Sequence, residues 1–222
     1  MIPKILCVKN NEREIFNRTY KFLSPNDFLI AKLTGKIVTD PLNAEKMYYD
    51  SKNNRYLEGL ISSFGIDIKS LPEVVNVGTN VGKIRNHIKK EFGLKDVEVI
   101  VTTYDAIGAI FGSGVTDEED ACDVSVTITS VRALTKHKVN QDNEKIFFQN
   151  IKSESLSIVG GTSSQGGSII EWFKQAFYEN KRNPYKVMEE EAQRIRIGAD
   201  GLIFLPYLLG ERVPLWNKDA SG

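Results

Sequence analysis

VEVIVTTYDAIGAIFGSG, residues 97–114, is the stretch on which the fold turns. Val97, Val99 and Val101 alternate and β-branched side chains dominate, which predicts a short, largely buried strand. Ala106, Ile107, Ala109, Ile110 and Phe111 predict a short helix, ended by Gly112 or Gly114. Asp105 stands between the two, at the carboxyl end of a strand and the mouth of a helix. Open α/β sheets bind ligands at that end. A carboxylate near a helix N-terminus stays ionised easily, because the helix dipole and the free amides favour negative charge. Two roles fit these features: a helix cap, since Asp is among the best caps, and a general base aimed at a substrate hydroxyl. The residue types leave both open.

The rest of the chain sets bounds on that reading. Its 222 residues, 41% hydrophobic, suffice for one large domain or two modest ones. Lys plus Arg balance Asp plus Glu at 29 each, which argues against a nucleic-acid or anionic-membrane partner. No apolar segment reaches membrane-spanning length. Cys7 and Cys122 lie far apart without metal-ligand spacing, so a reduced, cytoplasmic setting is expected. Cys7 falls in the apolar run Ile5-Leu6-Cys7-Val8 and reads as core. His87 and His137 read as surface residues, and Glu189-Glu190-Glu191 as a solvated helix face.

Working outward towards the N-terminus, residues 11–16 suggest an amphipathic helix. Ser24-Pro25-Asn26-Asp27 is a strong helix start, with Gly35 as its stop. Thr39-Asp40-Pro41 reads as a turn, and helices are predicted over 43–49, 56–64 and 84–92, with a loop around Gly78 and Gly82. Towards the C-terminus, residues 116–120 are polar and acidic and read as a hinge. Strands then follow near 124–128, 131–134, 145–150 and 156–159, a spacing that predicts an antiparallel meander. Helices are expected over 168–178 and 184–195, and a buried strand over 202–205.

Two further stretches are candidates for chemistry. Residues 160–167, GGTSSQGG, lead into a helix. Glycines let backbone amides approach a phosphate, although the Gly-Lys-Ser/Thr of a Walker loop is lacking and a plain β-to-α connection fits as well. Glu211-Arg212, within Gly210-Glu211-Arg212-Val213-Pro214, reads as an ion pair on a tight loop.

Taken together, these features resemble the FGGY carbohydrate kinases. The resemblance rests on Asp105 after its strand, VTITSVRAL (126–134), the double glycine leading into Glu171-Trp172-Phe173, and GLIFLPYLLGERVPLWNKDASG (201–222). SPNDFLIAKLTGKIVTDPLNAEKMYYD (24–50) is similar to the family's helix, "LTG" and "TD" stretch, and the whole leans towards gluconate and xylulose kinases. The resemblance implies an α/β protein of the duplicated actin/hexokinase/ribonuclease H-like fold, with two partial domains around a hinge. Residues 1–115 would be the C-terminal part of a first, sugar-binding domain, and residues 116–222 the N-terminal part of a second, nucleotide-binding domain.

It also implies a chemistry. The γ-phosphoryl of ATP would pass, with Mg²⁺, to a hydroxyl of a small-molecule sugar or sugar acid. Asp105 matches the catalytic base and Ala106 lies near the sugar; Thr129 and Ser130 match the turn at the β/γ-phosphates, and Gly167 and Glu171 match positions beside the nucleotide. This chain departs from the family in having Ile128-Thr129-Ser130-Val131 in place of a Gly-Thr-Ser-Gly turn, and Tyr104 at a place usually small. The family's phosphate-holding hairpin is expected upstream of Met1 and its later nucleotide loop beyond Gly222, so the resemblance makes this a central segment, inactive or nearly so alone. Exposed strand edges would then favour a homo-oligomer. The alternative expectation is a truncated, non-catalytic kinase remnant that serves as a binding or assembly module.

Overall fold

The computed structural model describes residues 1–118, 120–137, 146–151, 156–213 and 215–221. The chain divides into two units, Met1–Gly108 and Ala109–Gly222. The boundary between these units falls in the helix after Asp105; within the stretch 116–120, read above as a hinge, Glu119 lies outside the described residues.

The first unit opens with α1 (Ile2–Asn11) and α2 (Arg13–Arg18), where one helix over 11–16 was expected. Residues 5–8 are therefore helical. At 3.6 residues per turn Ile2 and Ile5 share the buried face, whereas Cys7 is exposed, which corrects its reading as core. α3 (Pro25–Thr34) is as predicted. Ser24 Oγ accepts the Asp27 N–H at 3.3 Å, Asp27 Oδ2 accepts the Ser24 N–H at 3.2 Å, and Gly35, left-handed at φ +84°, ends the helix. β1 (Val38–Thr39) leads to α4 (Pro41–Glu45), which starts earlier than predicted because Asp40 is its cap. β2 (Tyr49–Asp50) and β3 (Arg55–Tyr56) form a hairpin, followed by α5 (Glu58–Ser63). β4 (Glu73–Val74) pairs parallel with β1. β5 (Asn80–Lys83) occupies part of the predicted loop and pairs with β6 (Glu98–Ile100); between them α6 (Asn86–Phe92) ends at Gly93.

β6 is less buried than its valines suggested. Val101 just beyond it is 1% exposed, but Val97 and Ile100 are each 44% exposed. A two-stranded ribbon covers one face only: Val101 packs with Ile30 and Val38, together with Val75, Val81 and Val99. A second core joins Ile2 and Ile5 to Met47, Ile61, Ile66 and Leu71. α7 (Asp105–Gly112) follows β6 and closes before Gly114, which has φ +88°.

The second unit carries β7 (Ala121–Ser125), β8 (Thr129–Thr135), β9 (Phe147–Ile151) and β10 (Leu156–Ser163). The predicted Lys145 start of the third strand lies outside the described residues. All pairings are antiparallel, but the order is β7-β8-β10-β9, so β10 inserts between its two predecessors and the sheet is not a meander. β10 also runs through Gly160 and Gly161 to Ser163, which removes half of the expected glycine loop. α8 (Gly167–Tyr178) and α9 (Pro184–Ala192) follow as predicted, with Glu189, Glu190 and Glu191 exposed.

Residues 202–205 form no strand. Leu202 and Ile203 are 78% and 81% exposed, and among the described residues no strand pairs with them. Phe204 instead stacks on Trp172 at 6.1 Å. Glu211 is buried, and its carboxylate accepts Ser163 Oγ–H at 2.8 Å, the Arg212 N–H at 2.8 Å and the Ser164 N–H at 3.4 Å, in place of the expected pairing with the Arg212 guanidinium. Pro214 of that loop lies outside the described residues. The architecture is mixed α/β, and among the described residues no helix is long and apolar enough to cross a membrane.

Candidate functional site

The first unit places Asp105 on the wall of a cleft of about 440 Å³. The Tyr104 carbonyl accepts from the Ile107 and Gly108 amides at 3.1 Å, so the helix starts on Tyr104 and Asp105 is its first residue. Asp105 Oδ1 accepts the adjacent Ala106 N–H at 2.8 Å. A cap accepts from an amide two or three residues on, so this geometry is not that of a cap. It fixes one oxygen of an exposed carboxylate at the positive end of a helix. Half-buried Ala106 provides the amide, and Thr103, Tyr104 and Asp105 line the cleft together.

Facing groups come from α3 and α4. Asp40 is fully buried; its Oδ1 accepts the Leu42 N–H at 3.0 Å and the Asn43 N–H at 3.3 Å, and its Oδ2 accepts Asn43 Nδ2–H at 2.7 Å. This fixes the Asn43 amide so that its Oδ1 accepts from Lys46 Nζ at 3.2 Å. The Lys46 ammonium also lies 3.1 Å from the centroid of the Tyr104 ring, within the range of a cation–π contact. A buried carboxylate thus positions an amide, and the amide positions a cation on the cleft wall. Lys4 adds a second ammonium to the lining. Asn26 Nδ2 and Thr103 Oγ1 are buried at this wall without a hydrogen-bond partner among the described residues.

Sequence reasoning named Asp105 and Ala106 here but missed Lys4, Asn26, Asn43 and Lys46. A signal was present for two of them: Asn43 and Lys46, three apart behind Asp40-Pro41, share a helix face. What joins Lys46 to Tyr104 is tertiary.

The second unit treats its expected residues differently. Thr129 and Ser130 are on β8 and not in a turn. Thr129 Oγ1 meets Ser125 Oγ at 2.8 Å, and buried Ser130 Oγ meets Thr162 Oγ1 at 3.1 Å. The Gly166 and Gly167 amides at the start of α8 donate to the carbonyls of Thr127 and Val126 at 3.0 and 2.6 Å. A Cβ on Gly166 would come within 2.5 Å of the Ile128 carbonyl carbon, and one on Gly167 within 2.5 Å of Val126 O. These glycines let the chain pack against the β7–β8 turn.

Gly167 and Glu171 do line one depression of about 570 Å³, with Val126, Thr127, Ser168, Trp172 and Gln175. Glu171 accepts hydrogen bonds from Lys174, Tyr185 and Gln175, and these, Lys174 foremost, push its pKa down to about 2. Among the described residues no three His, Cys, Asp or Glu side chains converge as a metal site.

Comparison with known proteins supplies the family. Residues 1–112 match the profile of the FGGY family of carbohydrate kinases, N-terminal domain. The chain is 29% identical to a xylulose kinase of Staphylococcus xylosus over 99% of its own length, and 25% identical to a gluconokinase of Bacillus licheniformis over all of it. Among solved structures it resembles a ligand-bound xylulose kinase and a gluconate kinase, both from Lactobacillus acidophilus. Each shows a TM-score of 0.79 and 25% identity over 98% of this chain and 44% of the other. The chain spans 45% of the length of each of the two sequence relatives named. With half of its residues matching the family profile and its fold shared with solved kinases, the chain belongs to the FGGY family of carbohydrate kinases.

Proposed function

We propose that the chain serves ATP-dependent phosphorylation of a sugar or sugar acid, with gluconate and xylulose as the leading substrates. In this reading residues 1–115 belong to the sugar-binding domain and 116–222 to the nucleotide-binding domain of a duplicated actin/hexokinase-type fold. Asp105 takes the proton from the attacking hydroxyl as that oxygen bonds to the γ-phosphorus and the bond to the β-phosphate oxygen breaks. Phosphoryl transfer asks the protein for positioning, charge neutralisation and a base at the nucleophile. The observation that carries the reading is the exposed Asp105 carboxylate, held through one oxygen by the Ala106 amide on the wall of a sugar-sized cleft.

The nucleotide side is supported less evenly. The Ser130 hydroxyl and the Gly166 and Gly167 amides are engaged within the second unit and do not fit a phosphate cradle, so no step is assigned to them. Gly167 and Glu171 line the second depression, where an ionised Glu171 suits a donating ribose hydroxyl and repels phosphate. Thr129, half-buried, holds its hydroxyl on Ser125. Mg²⁺ would come with the phosphates of ATP.

The engaged glycine amides favour a second reading, a non-catalytic kinase remnant that serves at most as a binding or assembly module. ADP release with Mg²⁺, ATP and a panel of gluconate, xylulose, ribulose and glycerol separates the two. It is measured in a kinase complete over the length of the relatives and containing these residues. Sugar-dependent turnover above the no-sugar blank supports the kinase reading, and a folded protein silent on every sugar supports the remnant.

A further inference from the structure

Resting on the reading of the Asp105 cleft as a sugar site, the geometry points to a substrate that carries a carboxylate. We infer that Lys46, set by Asn43 and Tyr104, selects a sugar acid over a neutral sugar. The charged side chains lining the cleft are two ammonium groups, Lys4 and Lys46, against the single carboxylate of Asp105. A neutral sugar gains nothing from that excess of positive charge, whereas an aldonate does.

Lys46 is not a loose surface cation. The chain from buried Asp40 through Asn43 fixes its nitrogen at 3.2 Å from Asn43 Oδ1, and the same nitrogen lies 3.1 Å from the centroid of the Tyr104 ring. A preorganised cation discriminates charge more sharply than a mobile one, because less side-chain entropy is lost on binding. Tyr104 neighbours Asp105 in sequence, so the ring ties the cation's position to the site of the base.

One competing role is specific. Lys46 could instead neutralise the phosphoryl group in transit, and its loss would then slow neutral and acidic sugars alike.

The test uses a kinase complete over the length of the relatives and containing these residues, and measures gluconate and xylulose binding by calorimetry, without nucleotide, to the wild type and to Lys46→Met, Lys46→Gln and Lys46→Arg. Each variant is first shown folded by circular dichroism. The same four proteins are then compared by kcat/KM on both sugars. The wild type is expected to bind gluconate at least about tenfold more tightly than xylulose, as one oriented charge contact allows. Lys46→Met and Lys46→Gln are expected to erase the preference by weakening gluconate alone, and Lys46→Arg to keep most of it.

Xylulose bound as tightly as gluconate overturns the inference and leaves the kinase reading standing. So does a Lys46→Met protein that loses kcat equally on both sugars. Failure of the wild type to bind either sugar overturns the assignment of the cleft and the inference with it.

Discussion

The Asp105 cleft and the glycine-rich approach to α8 both place a helix N-terminus beside residues of a chemical kind, yet they use their backbones in opposite ways. At α7 the opening residue keeps its carboxylate exposed, and the glycine one turn on, Gly108, has nothing within 4 Å of where a Cβ would stand. At α8 the Gly166 and Gly167 amides are bound to Thr127 and Val126, and a Cβ on either would strike backbone. The first region leaves chemistry facing solvent; the second uses its glycines to join a helix to a hairpin. A glycine motif before a helix therefore says little until the partners of its amides are known, since buried amides bind whatever carbonyl is near.

The largest effect tests the first region. In a kinase containing these residues, Asp105→Asn should lower kcat by about 10²–10⁴-fold, the usual range for a lost general base, and leave nucleotide affinity nearly unchanged. Equal turnover in wild type and variant removes Asp105 from the chemistry.

Next in size is Asp40→Ala. It removes the α4 cap, worth about 0.5–2 kcal/mol, and leaves the buried Asn43 amide unpaired, a further loss of about 1–3 kcal/mol. Denaturant unfolding should show a loss near the sum, and a loss below about 1 kcal/mol contradicts the relay from Asp40 to Lys46.

The two glycines then sharpen the contrast directly. Gly166→Ala should destabilise by about 1–3 kcal/mol through overpacking against Ile128. Gly108→Ala, in an open helical position, should stabilise by about 0.4–1 kcal/mol. Shifts of the same sign in the two thermal melts would undo the distinction drawn between the regions.

The smallest effect is at Glu171. Lys174 and then Tyr185 hold its folded-state pKa at about 2, below its ordinary 4.5. Because the folded value is the lower one, the contribution is complete above pH 4.5 and declines as the pH falls towards 2. A carbon-detected titration of the Glu171 carboxyl with a midpoint at or above 4.5 contradicts that arrangement.

What was legible in the sequence was local. Ser24, Asp27 and Gly35 around α3, and Gly93 after α6, set their helix boundaries through contacts within a few residues. Asp105 was legible because a strand and a helix flank it closely. The insertion of β10 between β8 and β9 was hidden, because strand spacing records which segments are extended and not which of them pair. Cys7 was misplaced because four apolar residues in a row suit a buried strand as well as one helical turn. Residues 202–205 read as a strand by composition, but a strand needs a partner, and none among the described residues pairs with them. Lys46 gave only its spacing from Asn43. Its meeting with Tyr104 needed the fold.

The most direct test of the account is a sugar titration followed by backbone amide NMR without nucleotide, which reads where the sugar binds independently of turnover. The account predicts that gluconate moves the Lys46, Thr103 and Ala106 resonances along one saturable curve while Gly166 and Gly167 stay in place. Saturable shifts at Gly166 and Gly167 with a silent Ala106 would contradict it, and would move the sugar site out of the Asp105 cleft.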